Sequence, residues 1–184
     1  MLLWTIQHET VYKALLKSGF FVPDGTHGFM KEDFQHAYDW LCGQMRLRLP
    51  NTPENAKYPI WAWYQWEGTR KRPDMRTSHK VLSPSGTPIV FLTLEVPDDE
   101  VLLSDFDMWH STLGNHYLAL TEEEDNAIGE NATSQQKRKS WEHIFNLDID
   151  SDYCTYPINQ ISIQATFWIL KKEYVKKVEF FISK

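Results

Sequence analysis

Ile161-Ser-Ile-Gln-Ala-Thr-Phe-Trp-Ile-Leu170 is the stretch on which the reading of the whole chain turns. Ile161, Ile163, Ala165, Phe167 and Ile169 alternate onto one side, and Ser162, Gln164, Thr166, Trp168 and Leu170 onto the other, which is the two-residue period of a strand. One face is wholly apolar. The other begins with three polar side chains, the pattern either of a solvated face or of the wall of a polar cleft.

Upstream of this strand, Pro88 to Val96 (PIVFLTLEV) reads as another, ended by Pro97-Asp-Asp. Ile60 to Trp66 (IWAWYQW) is the most aromatic strand, with Trp61 and Trp63 on one face and Tyr64 and Trp66 on the other. Leu2 to Ile6 is a first strand, and Glu9 to Ser18 (ETVYKALLKS) a helix with Val11 and Leu15 on one face and Gly19 as its stop. The spacing of Phe34, Ala37, Tyr38, Leu41 and Met45 predicts a second helix from Lys31 to about Arg48. A short helix is expected at about 105–112, with Ser104 as N-cap and Gly114 as the stop. Thr121 to Ser140 runs from an acidic cluster to Lys137-Arg-Lys139 and reads as a mobile excursion; Trp141 to Leu147 is expected to re-enter as a short helix. Val175 to Ile182 closes the chain as a strand. A strand leading directly into a helix is an α/β or α+β opening, and the expectation for the whole is an α+β fold in one domain spanning 1–184.

Composition narrows the function classes. The formal net charge of -6 over 184 residues argues against a general binder of nucleic acid or anionic membranes, which would gain from a positive field. The only cysteines are Cys42 and Cys154, without metal or redox spacing, as expected for free buried thiols in a reducing cytoplasm. No apolar run reaches membrane-spanning length and no signal segment is recognisable at the start. The seven histidines show no zinc spacing, so no metal is expected.

Several groups could carry chemistry. Gln164 and Thr166 point the same way from one strand and could orient a ribose or amide, although neither is a normal general base. Arg70, Lys71, Arg72 and Arg76 form the basic cluster of an acidic protein and suit a phosphate or pyrophosphate; a solvated loop explains them too. Trp61, Trp63, Tyr64 and Trp66 could stack a flat ligand or simply fill a core. Asp105, Trp109 and His110 lie close together on the short helix, where an Asp–His dyad competes with plain capping and packing.

Leu3-Trp-Thr-Ile-Gln7, Pro59-Ile-Trp-Ala-Trp-Tyr64, Leu102-Leu-Ser-Asp-Phe-Asp-Met-Trp-His110 and Ile163-Gln-Ala-Thr-Phe-Trp168 together resemble an uncharacterised family of small bacterial proteins, a domain of unknown function. More distantly, the order of strand, helix, aromatic strand and late polar strand is similar to the ADP-ribosyltransferase superfamily. That resemblance implies a twisted, split, mostly antiparallel sheet gripping NAD in a central cleft. It implies that Thr5 and Gln7 of the first strand contact the nicotinamide ribose, with Trp63 or Tyr64 of the middle strand beside the nicotinamide. Arg70 or Arg76 would hold the pyrophosphate, and Gln164 and Thr166 would stand where the superfamily carries its catalytic Glu. The implied activity is transfer of ADP-ribose to an acceptor the sequence does not name, with the missing carboxylate supplied by Asp105 or Glu173 or absent. Two other classes stand beside it: an interaction module presenting exposed aromatics, the tryptophans above all, to a protein partner, and a nucleic-acid binder built on the Arg70–Arg76 loop.

Overall fold

Strand β1 (Leu2–His8) is the hub of the sheet. It pairs antiparallel with β4 (Pro88–Glu95) along its full length, from Leu2 opposite Glu95 to His8 opposite Ile89, and β4 in turn pairs with the edge strand β8 (Val175–Ile182). On its other side β1 meets β3 (Ile60–Gln65) through one registered pair, Trp4 opposite Trp63. Beyond β3 lie β6 (Ile163–Phe167) and the edge strand β5 (Leu102–Asp105), giving the order β5-β6-β3-β1-β4-β8 with every pairing antiparallel. The sheet thus consists of two well-paired three-stranded halves joined at a sparsely paired β1–β3 seam. A separate two-stranded ribbon joins β2 (Phe20–Phe21) to β7 (Leu170–Lys171). The computed structural model describes residues 1–25, 32–74, 85–154, 156–157 and 159–183. The class is α+β, as the sequence indicates.

Helix α1 (Glu9–Ser18) has the boundaries its periodicity predicts. The His8 side chain caps its first turn by accepting from Thr10 N, and Gly19, at φ +82°, ends it in the left-handed conformation. Val11 and Leu15 carry α1 onto one sheet face, where Leu3, Ala62, Val90, Leu92, Ala165 and Phe167 make the first core. Burying each Leu, Val or Phe among them contributes roughly 1.5–3 kcal/mol against leaving it exposed.

Part of the opposite face carries a second core. Helix α2 (Gln35–Arg48) contributes Ala37, Trp40, Leu41 and Met45 to it. Helix α3 (Phe106–Leu113) contributes Met108 and Trp109, and the 3₁₀ turn Trp141–Phe145 adds Trp141 and Ile144. The remaining part of that face holds Trp4, Ile89 and Phe91. Here the loop after β3 lays Arg70 over Trp4 and Arg72 over Phe91, 5.6 and 4.5 Å from the ring centroids.

Three expectations of element boundaries are corrected. The late stretch is not one strand: β6 stops at Phe167, and β7 begins at Leu170 in the other sheet. Trp168 belongs to the second core and Leu170 to the first, so the chain must turn between them. Of the two alternatives for Ser162, Gln164 and Thr166, the solvated face is excluded, because all three side chains are buried. Residues 102–105, expected only as the approach to a helix, form edge strand β5, which shifts the N-cap from Ser104 to Asp105. The second helix starts at Gln35 after a 3₁₀ turn at Glu32–Phe34, and Lys31 lies outside the described residues. Segment 121–140 forms two short helices, α4 (Glu122–Ile128) and α5 (Ser134–Ser140), the latter opened by a Thr133–Gln136 capping box.

Candidate functional site at the β1–β3 seam

The scarce pairing between β1 and β3 leaves backbone groups that side chains must serve. Thr5 does so first: its hydroxyl donates to the Trp61 carbonyl at 2.6 Å, and Gln7 Nε2 donates back to Thr5 Oγ1 at 2.8 Å. At the other end Arg70 crosses the seam. Its Nη2 donates to the Leu2 carbonyl at 3.2 Å, while the guanidinium carbon sits 3.6 Å from the Tyr64 ring centroid. Thr5, Gln7, Trp63, Tyr64 and Arg70 therefore all lie along one junction. Arg76 falls outside the described residues.

The register divides these residues between faces. Ser104, Gln164, Trp63 and Trp4 are cross-strand neighbours in one straight row, so they share a face. Thr5, one residue on from Trp4, belongs to the opposite face, which α1 covers. Thr166 shares the face of Gln164 and donates to the Leu102 carbonyl at 3.2 Å. Gln164 is different. Its Oε1 is buried and without a hydrogen-bond partner, as is Oγ of Ser104 directly across from it on β5. A buried polar atom left unsatisfied costs roughly 1–3 kcal/mol, so two facing each other form a polar spot that water or a ligand group would complete.

Half-buried aromatic side chains stand over this part of the sheet. Trp63 meets Trp66 edge-on at 4.5 Å and Phe106 at 5.0 Å between centroids, and Phe106 meets the His110 ring at 4.7 Å. The structure brings no Asp105–His110 dyad together. Asp105 Oδ1 accepts the backbone N–H groups of Asp107 and Met108, and His110 Nδ1 lies 3.3 Å from the Asp107 carbonyl. Trp109 is a core residue packed against Trp61 and Tyr38. Arg72 is bound to Glu179 at 3.1 Å rather than poised beside Arg70 for a phosphate. Ser104 is the site residue that sequence reading misses: the signal is its pairing opposite Gln164, which is invisible unless 102–105 is read as a strand.

Burial pushes the Asp105 carboxyl above its ordinary value, against the pull of the two capping N–H groups. Asp107 is raised as well, by burial and then by Asp105. A raised folded-state pKa means that the folded protein holds the proton more tightly than the unfolded chain. The contribution of Asp105 to stability therefore falls as pH rises from about 3.9, the unfolded value, through the raised one. Asp105→Asn retains the capping oxygen and removes the titration, so urea denaturation across acidic to neutral pH is expected to give a flatter stability profile. Asp105→Ala is expected to lose about 1 kcal/mol through the missing cap. An Asn variant with a steeper profile than the parent would contradict this assignment.

A family model described as a domain of unknown function, DUF3841, matches residues 2–137. The chain belongs to the DUF3841 family. The match spans β1 to β5 and runs into α5, so it includes both seam strands and Ser104 of this DUF3841 chain, while the Gln164 strand lies beyond it. No curated protein and no solved structure matches the DUF3841 chain. Among its described residues, no helix is long and apolar enough to cross a membrane.

Proposed function

We propose that this DUF3841 protein binds NAD across the β1–β3 seam in the manner of an ADP-ribosyltransferase. The observation that carries the proposal is the sparse pairing of the sheet at β1–β3, with Thr5, Gln7, Trp63, Tyr64 and Arg70 gathered along it and Gln164 on the adjoining strand. Both sheet faces carry packed clusters, but between the second core and the Trp4 cluster Trp63, Trp66 and Phe106 are only half-buried, and the cofactor is assigned to that side. There Trp63 offers a flat wall, Arg70 a cation for the pyrophosphate, and Gln164 with Ser104 the unmet hydrogen-bonding capacity. Thr5 and Gln7 then hold the seam from behind instead of touching the nicotinamide ribose. Apart from Arg70 the gathered groups are neutral, and an oxocarbenium-like transition state gains little from neutral groups compared with a carboxylate. Binding accordingly exceeds turnover, with any transfer to an acceptor slow.

Calorimetric titration with NAD, paired with a hydrolysis assay, tests the reading. Saturable binding that Arg70→Ala weakens is the expected result, and no binding at millimolar NAD overturns it. The tryptophan-based interaction reading requires a contiguous exposed patch, whereas none of the eight tryptophans is exposed. The nucleic-acid reading is weakened likewise, since the formal net charge is -6 and Arg72 is paired with Glu179.

A further inference from the structure

A concavity of about 450 Å³ lies away from the seam, between the end of α2, helix α5 and the Trp141–Phe145 turn. Arg48, Gln136, Lys139, His143, Phe145 and Asn146 line it. What distinguishes it is that the side-chain amide oxygens of its wall are already occupied while the amide nitrogens are left over. Gln136 Oε1 accepts the Thr133 backbone N–H at 2.9 Å and the Thr133 hydroxyl at 2.8 Å, which leaves its amide nitrogen without a partner among the described residues. Asn146 Oδ1 accepts from Asp148 N at 3.3 Å, leaving its NH₂ in the same condition. Ser140 Oγ, also on the wall, donates to the Lys137 carbonyl and accepts from Leu118 N.

The charges point the same way. Arg48 Nε donates to Gln44 Oε1 at 3.1 Å and the guanidinium lies 4.7 Å from the Phe145 ring centroid, but Arg48 makes no ion pair with a carboxylate among the described residues. Two carboxylates belong to this neighbourhood, Glu142 on the wall itself and Glu124 behind Tyr117, and each has a partner. Glu142 is bound to Lys139 at 2.8 Å. Glu124 takes the Tyr117 hydroxyl on Oε1 at 2.5 Å and Leu120 N on Oε2 at 2.8 Å. What remains facing the space is an unpaired guanidinium with side-chain amide donors and the His143 ring beside it. The geometry points to a binding site for a phosphate group, carried by a small organic phosphate, with Arg48 as its principal anchor and Asn146 and Gln136 as flanking donors. The volume exceeds what a bare phosphate fills and leaves room for an organic body against Phe145. Arginine's fork supplies the paired hydrogen bonds that a tetrahedral oxyanion accepts.

The test uses the full chain labelled with ¹⁵N, titrated separately with inorganic phosphate, ribose 5-phosphate and succinate at matched ionic strength. The readout is the side-chain amide resonances of Gln136 and Asn146 and the Arg48 Nε–H. Saturable shifts with either phosphate are expected, tighter with the sugar phosphate if the organic body is seated. Arg48→Gln is expected to weaken them at least tenfold, the loss of about 1.4 kcal/mol for a charge-assisted pair. Asn146→Asp keeps the oxygen that accepts from Asp148, replaces the free NH₂ by an anion, and is expected to abolish binding. Non-saturating shifts with both phosphates, saturation by succinate alone, or unchanged affinity in both variants would overturn the assignment. Because the reporting groups are local, the outcome is independent of whether NAD binds at the seam.

Discussion

Gly68→Ala is expected to destabilise the protein by at least ~3 kcal/mol, a fall of roughly 6–12 °C in Tm for a domain of this size. Gly68 sits at φ +72° in the turn after β3, where the left-handed conformation costs an L-residue about 1–2 kcal/mol. The steric term is larger. An added Cβ would stand 1.7 Å from the Asn159 carbonyl oxygen and 2.2 Å from its carbon, both backbone atoms that no rotamer change can move aside. The turn is also tied to the entry of β6: Gly68 N donates to the Ile161 carbonyl at 2.9 Å, Glu67 N to Ser162 Oγ at 3.0 Å and Gln65 Nε2 to Ile161 O at 3.1 Å. Relieving the clash therefore means loosening the strand that carries Gln164. Gly43 provides the contrast. It lies inside α2 with nothing within 4 Å of an added Cβ, so Gly43→Ala is expected to stabilise by about 0.5–1 kcal/mol. Chemical denaturation of the two variants in parallel checks the opposite signs. A Gly68→Ala protein as stable as the parent would mean that the turn is not docked as described.

The elements most legible in the sequence are those with a strong period or a dedicated stop. Helix α1 is bounded as its pattern and Gly19 indicate, and β8 has the bounds its sequence indicates, although Phe180 and Ile182 are exposed. The α+β class follows from the succession of such elements. What could not be read is pairing. Leu102–Asp105 is too short and too close to a capping Asp to advertise itself as a strand, and only its partner β6 makes it one. The same holds for the late stretch: its alternation fixes which side chains oppose each other, but not that Trp168 and Leu170 end in different cores. The polar residues of β6 illustrate the limit most directly. Alternation places Gln164 and Thr166 on one face, yet whether that face meets water, a cleft or a core depends on α2 and α3, which the strand's own sequence does not encode. Candidate residues along the seam were legible as individually polar or aromatic side chains. Their division between two faces was not, because it depends on the Trp4–Trp63 pairing.

Gln164→Leu is expected to separate stability from function, raising the first while removing the second. The side chain is 5% exposed and its Oε1 meets no donor, while Ser104 Oγ opposite is equally unserved. Leucine fills a similar volume without an unsatisfied oxygen, so the folded state is expected to be unchanged or more stable by about 1 kcal/mol. If the unmet oxygen is there to receive a ligand donor, NAD affinity in the same protein falls at least tenfold. Ser104→Ala provides the companion measurement. Each variant alone is expected to weaken NAD binding, and the double variant by less than the sum of the two, because both atoms would serve one ligand group. The competing account is a bridging water that satisfies Gln164 and Ser104 in the resting protein. It gives the opposite signs: Gln164→Leu would then strand Ser104 and lower stability, with no effect on NAD. Calorimetric affinity and urea-denaturation free energy on the same preparations decide between them, since a loss of stability accompanied by unchanged binding would leave Gln164 as a core residue and deprive the seam of its proposed ligand contact.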